Sequence, residues 1–279
     1  MRLGGQVYRW STAREWAERH IEKGYGAALW PLGMDASPLD EADFVSEARR
    51  VGLVIAEVGI WRNVFDRDPR RAEENIQYSI ARMKLADRVG ARCCVNISGS
   101  LSDFWDGPHP DNLTPATFDR IVKVTQRMMD EARLAVSDYS LEPMPWMYPT
   151  DVATTRALLE AVDRPRFGVH VDMVNMINSP EKVYRTGELT KAYFGAFRDR
   201  IRSVHVKDLT IRTDLTVCMP EVVCGEGVFD LRTLLRECAG FEDMPMIVEH
   251  LPDEATYDRA VAHLRGLADG LGLRFDAAH

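Results

Sequence analysis

The chain has 279 residues, more than one ordinary domain of about 100 to 200 and within reach of a single large α/β barrel. Hydrophobic residues make up 46% and charged residues 28%, values that exclude disorder, collagen-like repeats and coiled coil. Forty-three acidic side chains against 35 basic ones leave a net charge of −8, which repels phosphate backbones and anionic membranes and argues against nucleic acid or a membrane as partner.

Short apolar runs alternate with longer amphipathic ones from end to end, as βαβ units require. In chain order the spacing predicts strand 3–7, helix 13–23, strand 26–30, helix 39–50, strand 53–60, helix 72–89, strand 91–97 and helix 117–136. Strand 139–143, helix 151–162, strand 167–172, helix 180–197, strand 201–206, helix 231–239, strand 246–249 and helix 254–270 follow. Gly24, Gly52 and Gly90 each stand between a helix and a strand, where a left-handed C-cap suits glycine. No linker or low-complexity tract interrupts the rhythm, so eight strand–helix pairs predict an α/β fold, a (β/α)8 TIM barrel, with residues 1–279 as a single domain.

No stretch approaches the ~20 apolar residues of a membrane span, and the first ten residues lack a signal peptide's apolar run, so a soluble, cytoplasmic protein is expected. Cys93, Cys94, Cys218, Cys224 and Cys238 form no CxxC pair and are expected to be reduced thiols.

Barrel enzymes place their chemistry at the C-terminal ends of the strands. The fifth strand here ends in Leu141-Glu142-Pro143, the sixth in His170-Val171-Asp172, the seventh in His205-Val206-Lys207-Asp208 and the eighth in Val248-Glu249-His250. Glu142, Asp172, His205 and Glu249 thus converge from four neighbouring strands as three carboxylates and one imidazole, a donor set suited to Mn²⁺, Mg²⁺, Co²⁺ or Zn²⁺ with room for substrate oxygens. Burying carboxylates at the end of an apolar strand is costly, and one divalent cation partners three at once. Lys207 lies two residues past His205 and shares its inward face, where it can bind a carboxylate or stabilise an enolate; His170, two before Asp172, is either a core histidine or a substrate contact. Asn175 can hydrogen-bond a substrate hydroxyl or carbonyl, and Trp30, Trp61 and Trp146 fall on the same rim, where indoles pack against sugar C–H faces. Gly225-Glu226-Gly227 lacks the lysine or third glycine of a phosphate loop and is expected to be a tight turn.

These motifs, together with Cys224-Gly225-Glu226-Gly227-Val228-Phe229-Asp230, resemble the xylose isomerase-like TIM barrels, the sugar phosphate isomerase/epimerase group related to endonuclease IV, over nearly the whole chain. The resemblance implies that Glu142, Asp172, His205 and Glu249 bind one divalent ion, commonly manganese, and that Glu142 and Glu249 are the catalytic pair that moves protons. The expected activity is isomerisation or epimerisation of an unphosphorylated keto-sugar or related polyol, with a small carbohydrate as partner and a homo-oligomer left open. Ketose 3-epimerases of the family carry a substrate-binding histidine where this chain has Asn175, and His205-Val206-Lys207-Asp208 is more similar to inosose dehydratases. A metal-dependent lyase acting on a keto-sugar, keto-glycoside or keto-cyclitol is therefore the alternative. Endonuclease IV needs more histidines at the strand ends than His170, His205 and His250 provide.

Overall fold

The computed structural model describes all 279 residues. The elements are β1 (Arg2–Gly4), α1 (Ala13–Lys23), β2 (Ala27–Leu29), α2 (Pro38–Arg50), β3 (Val54–Gly59), α3 (Pro69–Val89), β4 (Cys93–Asn96), α4 (Pro115–Ala132), β5 (Asp138–Leu141), α5 (Val152–Val162) and β6 (Val169–Asp172). They continue with α6 (Pro180–Val183), α7 (Thr186–Phe197), β7 (Ile201–Val206), β8 (Asp208–Leu209), β9 (Glu221–Val222), α8 (Leu231–Ala239), β10 (Pro245–Val248) and α9 (Glu254–Gly270). Two parallel four-stranded sheets, ordered β1-β10-β7-β6 and β2-β3-β4-β5, meet at both edges. The Gly26 N–H donates to the Leu3 carbonyl at 2.8 Å between β1 and β2, and Tyr139 bridges Phe167 between β5 and β6. The result is the expected TIM barrel, with its main core between strands and helices.

Local chemistry explains the helix boundaries. Thr12 and Ser37 form capping boxes with Glu15 and Asp40, and Asp68, Thr114, Asp151, Asp230 and Asp253 accept N-terminal N–H groups. Three helices begin one to three residues before the predicted starts at 39, 72 and 117, because Pro38, Pro69 and Pro115 sit in the first turn, where a missing N–H costs nothing. Helix α4 stops at Ala132 rather than 136, since Arg133 turns left-handed at φ 55°. The single helix expected over 180–197 is two: Ser179 caps α6, Arg185 leaves helical geometry, and the Thr186 hydroxyl opening α7 accepts the Asp230 N–H at 3.0 Å. Gly24, Gly52 and Gly90 have φ of 63°, 66° and 72°, the left-handed values expected of them. All five cysteines are free thiols, and no helix is long and apolar enough to cross a membrane.

The segment after β7 carries an unpredicted small feature, the antiparallel pair β8–β9. Its base is held by Asp208. One carboxylate oxygen accepts the N–H groups of Leu209 (2.8 Å) and Phe229 (3.0 Å), the other those of Gly225 (2.9 Å) and Gly227 (3.1 Å). Gly225 adopts φ 98°, and a Cβ on Gly227 would collide with the Asp208 carboxylate, so both glycines in this turn are required by the close approach.

Candidate metal centre and cavity

Strand alternation fills the barrel interior from β6 and β7. His170 is the register partner of Ser203, and Asp172 that of His205, one step nearer the strand ends. Lys207 continues the same face past the end of β7, while Glu142 and Glu249 are the first residues beyond β5 and β10. The Glu142 N–H is fixed by the Asn96 carbonyl at 2.9 Å. Glu142, Asp172, His205 and Glu249 are thereby brought together, one donor atom from each lying within 4.8 Å of the others.

His205 Nδ1 stands 2.8 Å from Glu142 Oε1, 2.9 Å from Glu249 Oε1 and 3.8 Å from Asp172 Oδ2. Lys207 Nζ is 2.7 Å from Asp172 Oδ2 and 2.7 Å from Glu249 Oε1, with Asn175 Oδ1 at 3.3 Å and Glu221 Oε1 at 3.6 Å. Burial pushes every group here towards its neutral form, and the neighbours oppose it. Burial raises Glu142, and the charges of Glu249 and Asp172 add to that rise against the lowering contact with His205. For Glu249, burial is outweighed by His205 and Lys207, which hold it at about 2, and for Asp172 by Lys207 and His205, which hold it well below the carboxylate range. His205 and Lys207 are raised well above their ordinary values by the surrounding carboxylates despite their burial.

Two oxygens test whether these residues suit a metal ion. Asp172 Oδ2 and Glu249 Oε1 are buried and find no hydrogen bond; their approach to Lys207 is a charge contact without hydrogen-bond geometry. Buried carboxylate oxygens that still lack a donor, beside an imidazole nitrogen, make a donor set that fits a divalent cation of the harder kind. The cluster could hold such an ion.

Above it opens a cavity of about 930 Å³. Trp30, Trp61, Trp146 and Asn175, all singled out from the sequence, lie in its wall, together with Glu142, His205 and Glu249. Trp61 sits in a left-handed conformation (φ 52°) with its indole folded over Gly59, where any Cβ would collide with Nε1, and 6.4 Å from the His205 ring between centroids. The Trp146 indole N–H donates to the Asp106 carbonyl at 2.7 Å, whereas the buried Trp30 N–H has no partner. Asn175 donates its backbone N–H to Asp172 Oδ1 at 3.0 Å. His170 and Lys207 are not in the wall. His170 is fully buried with its ring 4.1 Å from that of His205, so of its two sequence readings the structure places it in the core, and Lys207 is buried between Asp172 and Glu249.

Several residues near the site were not anticipated. Glu57, inside β3, is fully buried and reaches both His170 and His205. A charge within the apolar run Val54–Gly59 was a visible signal, because such a residue demands buried partners. Glu221 pairs at 3.0 Å with His250, the histidine that closes the eighth strand-end motif, and Trp105 and Asp106 add to the wall; Glu221, Trp105 and Asp106 carried no sequence signal.

The sequence model of the xylose isomerase-like TIM barrel family matches residues 21–267. Among solved structures, endonuclease IV from Thermus thermophilus superposes with a TM-score of 0.73 at 14% identity, covering 97% of this chain and 100% of that one. D-psicose 3-epimerase with D-tagatose from Clostridium cellulolyticum gives 0.71 at 13% identity over 98% and 100% of the two chains. A xylose isomerase-like TIM barrel protein from Mycobacterium smegmatis, in complex with magnesium, gives 0.66 at 16% over 94% and 89%. No curated protein matches in sequence.

Proposed function

The chain belongs to the xylose isomerase-like TIM barrel family, and on that premise we propose that it is a divalent-metal-dependent isomerase or epimerase of an unphosphorylated keto-sugar or related polyol. The observation that carries this reading is the set of Glu142, Asp172, His205 and Glu249 around one point at the floor of an indole-lined cavity. When bound there, the ion, with Mn²⁺ the first choice, supplies Lewis-acid polarisation of a carbonyl and offsets the negative charge that develops beside it. Glu142 and Glu249 stand on different strands at the same point, so one removes the proton on carbon next to the carbonyl and the other returns one. Trp30, Trp61 and Trp146 offer flat apolar faces to the C–H side of a sugar, and Asn175 offers a polar contact at the edge. Together they orient the ring and displace water from the reacting carbon.

The wall supports an unphosphorylated substrate. It carries Glu57, Asp106, Glu142, Glu221 and Glu249, while Arg82, its one arginine, donates to the Gly59 (3.0 Å) and Leu32 (2.9 Å) carbonyls and is not free to clamp an anion. The magnesium in one structural neighbour and the ketose handled by another accord with this reading.

One observation favours the second reading, a metal-dependent lyase on a keto-sugar, keto-glycoside or keto-cyclitol: Asn175 and Lys207 pair at 3.3 Å beside the cluster. The ammonium there can stabilise the enolate from which a β-oxygen departs. Incubation with Mn²⁺ and a panel of ketoses, keto-glycosides and keto-cyclitols in D₂O, followed by NMR, tests both. An isomerase or epimerase returns products of unchanged mass apart from deuterium; a lyase yields an unsaturated product with loss of water or aglycone. No α-hydrogen exchange on any substrate defeats the proton-abstraction step common to the two.

A further inference from the structure

Glu57 lies deep in the barrel with no lysine or arginine beside it, a costly place for a carboxylate. Every side-chain hydrogen bond it makes is to β6 and β7, two of the four strands that bring the donor cluster together. Its Oε1 accepts from Ser203 Oγ and from His170 Nε2 at 3.2 Å, and its Oε2 meets His205 Nε2 at 3.1 Å. In most barrels these layers are filled by branched apolar side chains, so a carboxylate received by three polar groups is a constructed feature. His205 is the joint between this lower network and the site above: Nε2 faces Glu57, and Nδ1 faces Glu142, Glu249 and Asp172.

A histidine that ligates a metal is neutral, whatever charge the surrounding carboxylates favour in its absence, and a neutral imidazole has one N–H and one lone pair. If the N–H is on Nε2 and pointed at Glu57, the lone pair is on Nδ1 and pointed at the centre of the cluster. If the tautomer were reversed, two buried acceptors would face each other across 3.1 Å below and the ring would offer no lone pair above. Rotation of the ring is blocked as well, because the His170 imidazole stacks edge-on against it at 4.1 Å and is itself held by Glu57.

We propose that Glu57 is a positioning residue for the metal ligand His205, fixing its ring plane and its Nε2–H tautomer so that Nδ1 is the atom presented to the ion. Glu57 acts through His205, its carboxylate being fully buried and engaged by Ser203, His170 and His205. The inference rests on the metal-dependent reading above.

The test measures metal binding rather than turnover. In Glu57→Gln one oxygen becomes an amide N–H₂, so the side chain can no longer accept from both histidines; in Glu57→Asp the charge stays but withdraws by one methylene. Competition with a chelator is expected to show Mn²⁺ affinity 10- to 100-fold weaker in both, the range usual for lost partners of ligand histidines, with one ion per chain throughout. The Co²⁺ form should show a changed visible spectrum in Glu57→Gln, a signature that a general loss of stability would not produce. Long-range ¹H–¹⁵N correlation on wild-type protein loaded with Zn²⁺ needs no variant and should find His205 as the Nε2–H tautomer. An Nδ1–H tautomer, or Mn²⁺ affinity and Co²⁺ spectrum unchanged in whichever variant folds, overturns the inference while leaving the metal reading intact. Two ions per wild-type chain and one in Glu57→Gln also overturns it, since Glu57 would then be a ligand with His170 and His205. A wild-type chain that binds no divalent ion removes both readings together.

Discussion

Replacing Glu142 or Glu249 by glutamine keeps the size of each side chain and deletes the charge, so the two glutamates can be asked separately about binding and about proton transfer. At saturating Mn²⁺, α-hydrogen exchange in D₂O is expected to fall by about 10²- to 10⁴-fold in either variant, the usual worth of a positioned acid or base. Exchange at the wild-type rate in both metal-loaded variants would show that neither is the base. A second residue far from the site reports on pH. His20 is buried between Trp16 and Tyr25, and its Nδ1–H donates to the Trp16 carbonyl at 2.8 Å. Burial pushes its pKa down to about 4 from the ordinary 6.5. The unfolded chain therefore takes up this proton first, stability is complete above the ordinary value, and it declines as the pH falls towards the folded one. That decline should cost about 2 kcal/mol between roughly pH 7 and 5. Urea unfolding at the two pH values should show a shallower dependence in His20→Gln; an identical dependence would exclude His20 as its source.

Residue legibility followed the strand ends. The structure brings together Glu142, Asp172, His205 and Glu249, each the last or next-to-last inward position before a loop, where sequence reading looks for chemistry. Glu57 escaped because it is four residues into its strand, in the position where a packed barrel ordinarily has valine or isoleucine, and only the cost of its burial marks it.

Elements repeat the lesson at a longer wavelength. Helix cores are set by apolar periodicity and were legible, whereas the starts of α2, α3 and α4 hinge on whether a proline opens the helix or precedes it, which depends on the cap behind it. The break between α6 and α7 depends on Thr186 meeting the α8 cap, 44 residues away in the chain, and local pattern carries no trace of such a contact. The element most dependent on one side chain is the β8–β9 segment. Asp208→Ala removes the acceptor of four backbone N–H groups and should destabilise the fold by about 3 kcal/mol in urea unfolding, with faster proteolytic cleavage between residues 210 and 220. Cleavage at the wild-type rate would mean the strand pairing of β8 and β9 suffices without the clamp.

At the scale of the molecule, the two ends of the barrel have separate duties. The donor cluster and cavity occupy the C-terminal ends of the strands, while residues 276–279 close the opposite end: the Asp276 N–H donates to the Met1 carbonyl (2.9 Å), that of Ala278 to Tyr25 (2.9 Å) and that of His279 to Val51 (3.0 Å). Deleting residues 276–279 should lower the melting temperature by roughly 5 to 10 °C, three hydrogen bonds at about 1 kcal/mol each. Chelator competition should give wild-type Mn²⁺ affinity in the same protein. Weakened binding would show that the two ends are mechanically coupled.

The Asp208 clamp has a consequence for how such a molecule can diverge. It ties both feet of the segment between residues 208 and 229 to one carboxylate, so the tip between residues 210 and 220 can change while the anchorage of the feet stays the same. That segment contributes Met219 and Glu221 to the cavity, while Glu142 and Glu249, the pair proposed to move protons, stand on other strands. Lineages descended from this architecture are free to lengthen, shorten or recompose the segment, and so to remake one side of the cavity, while the donor cluster stays in place.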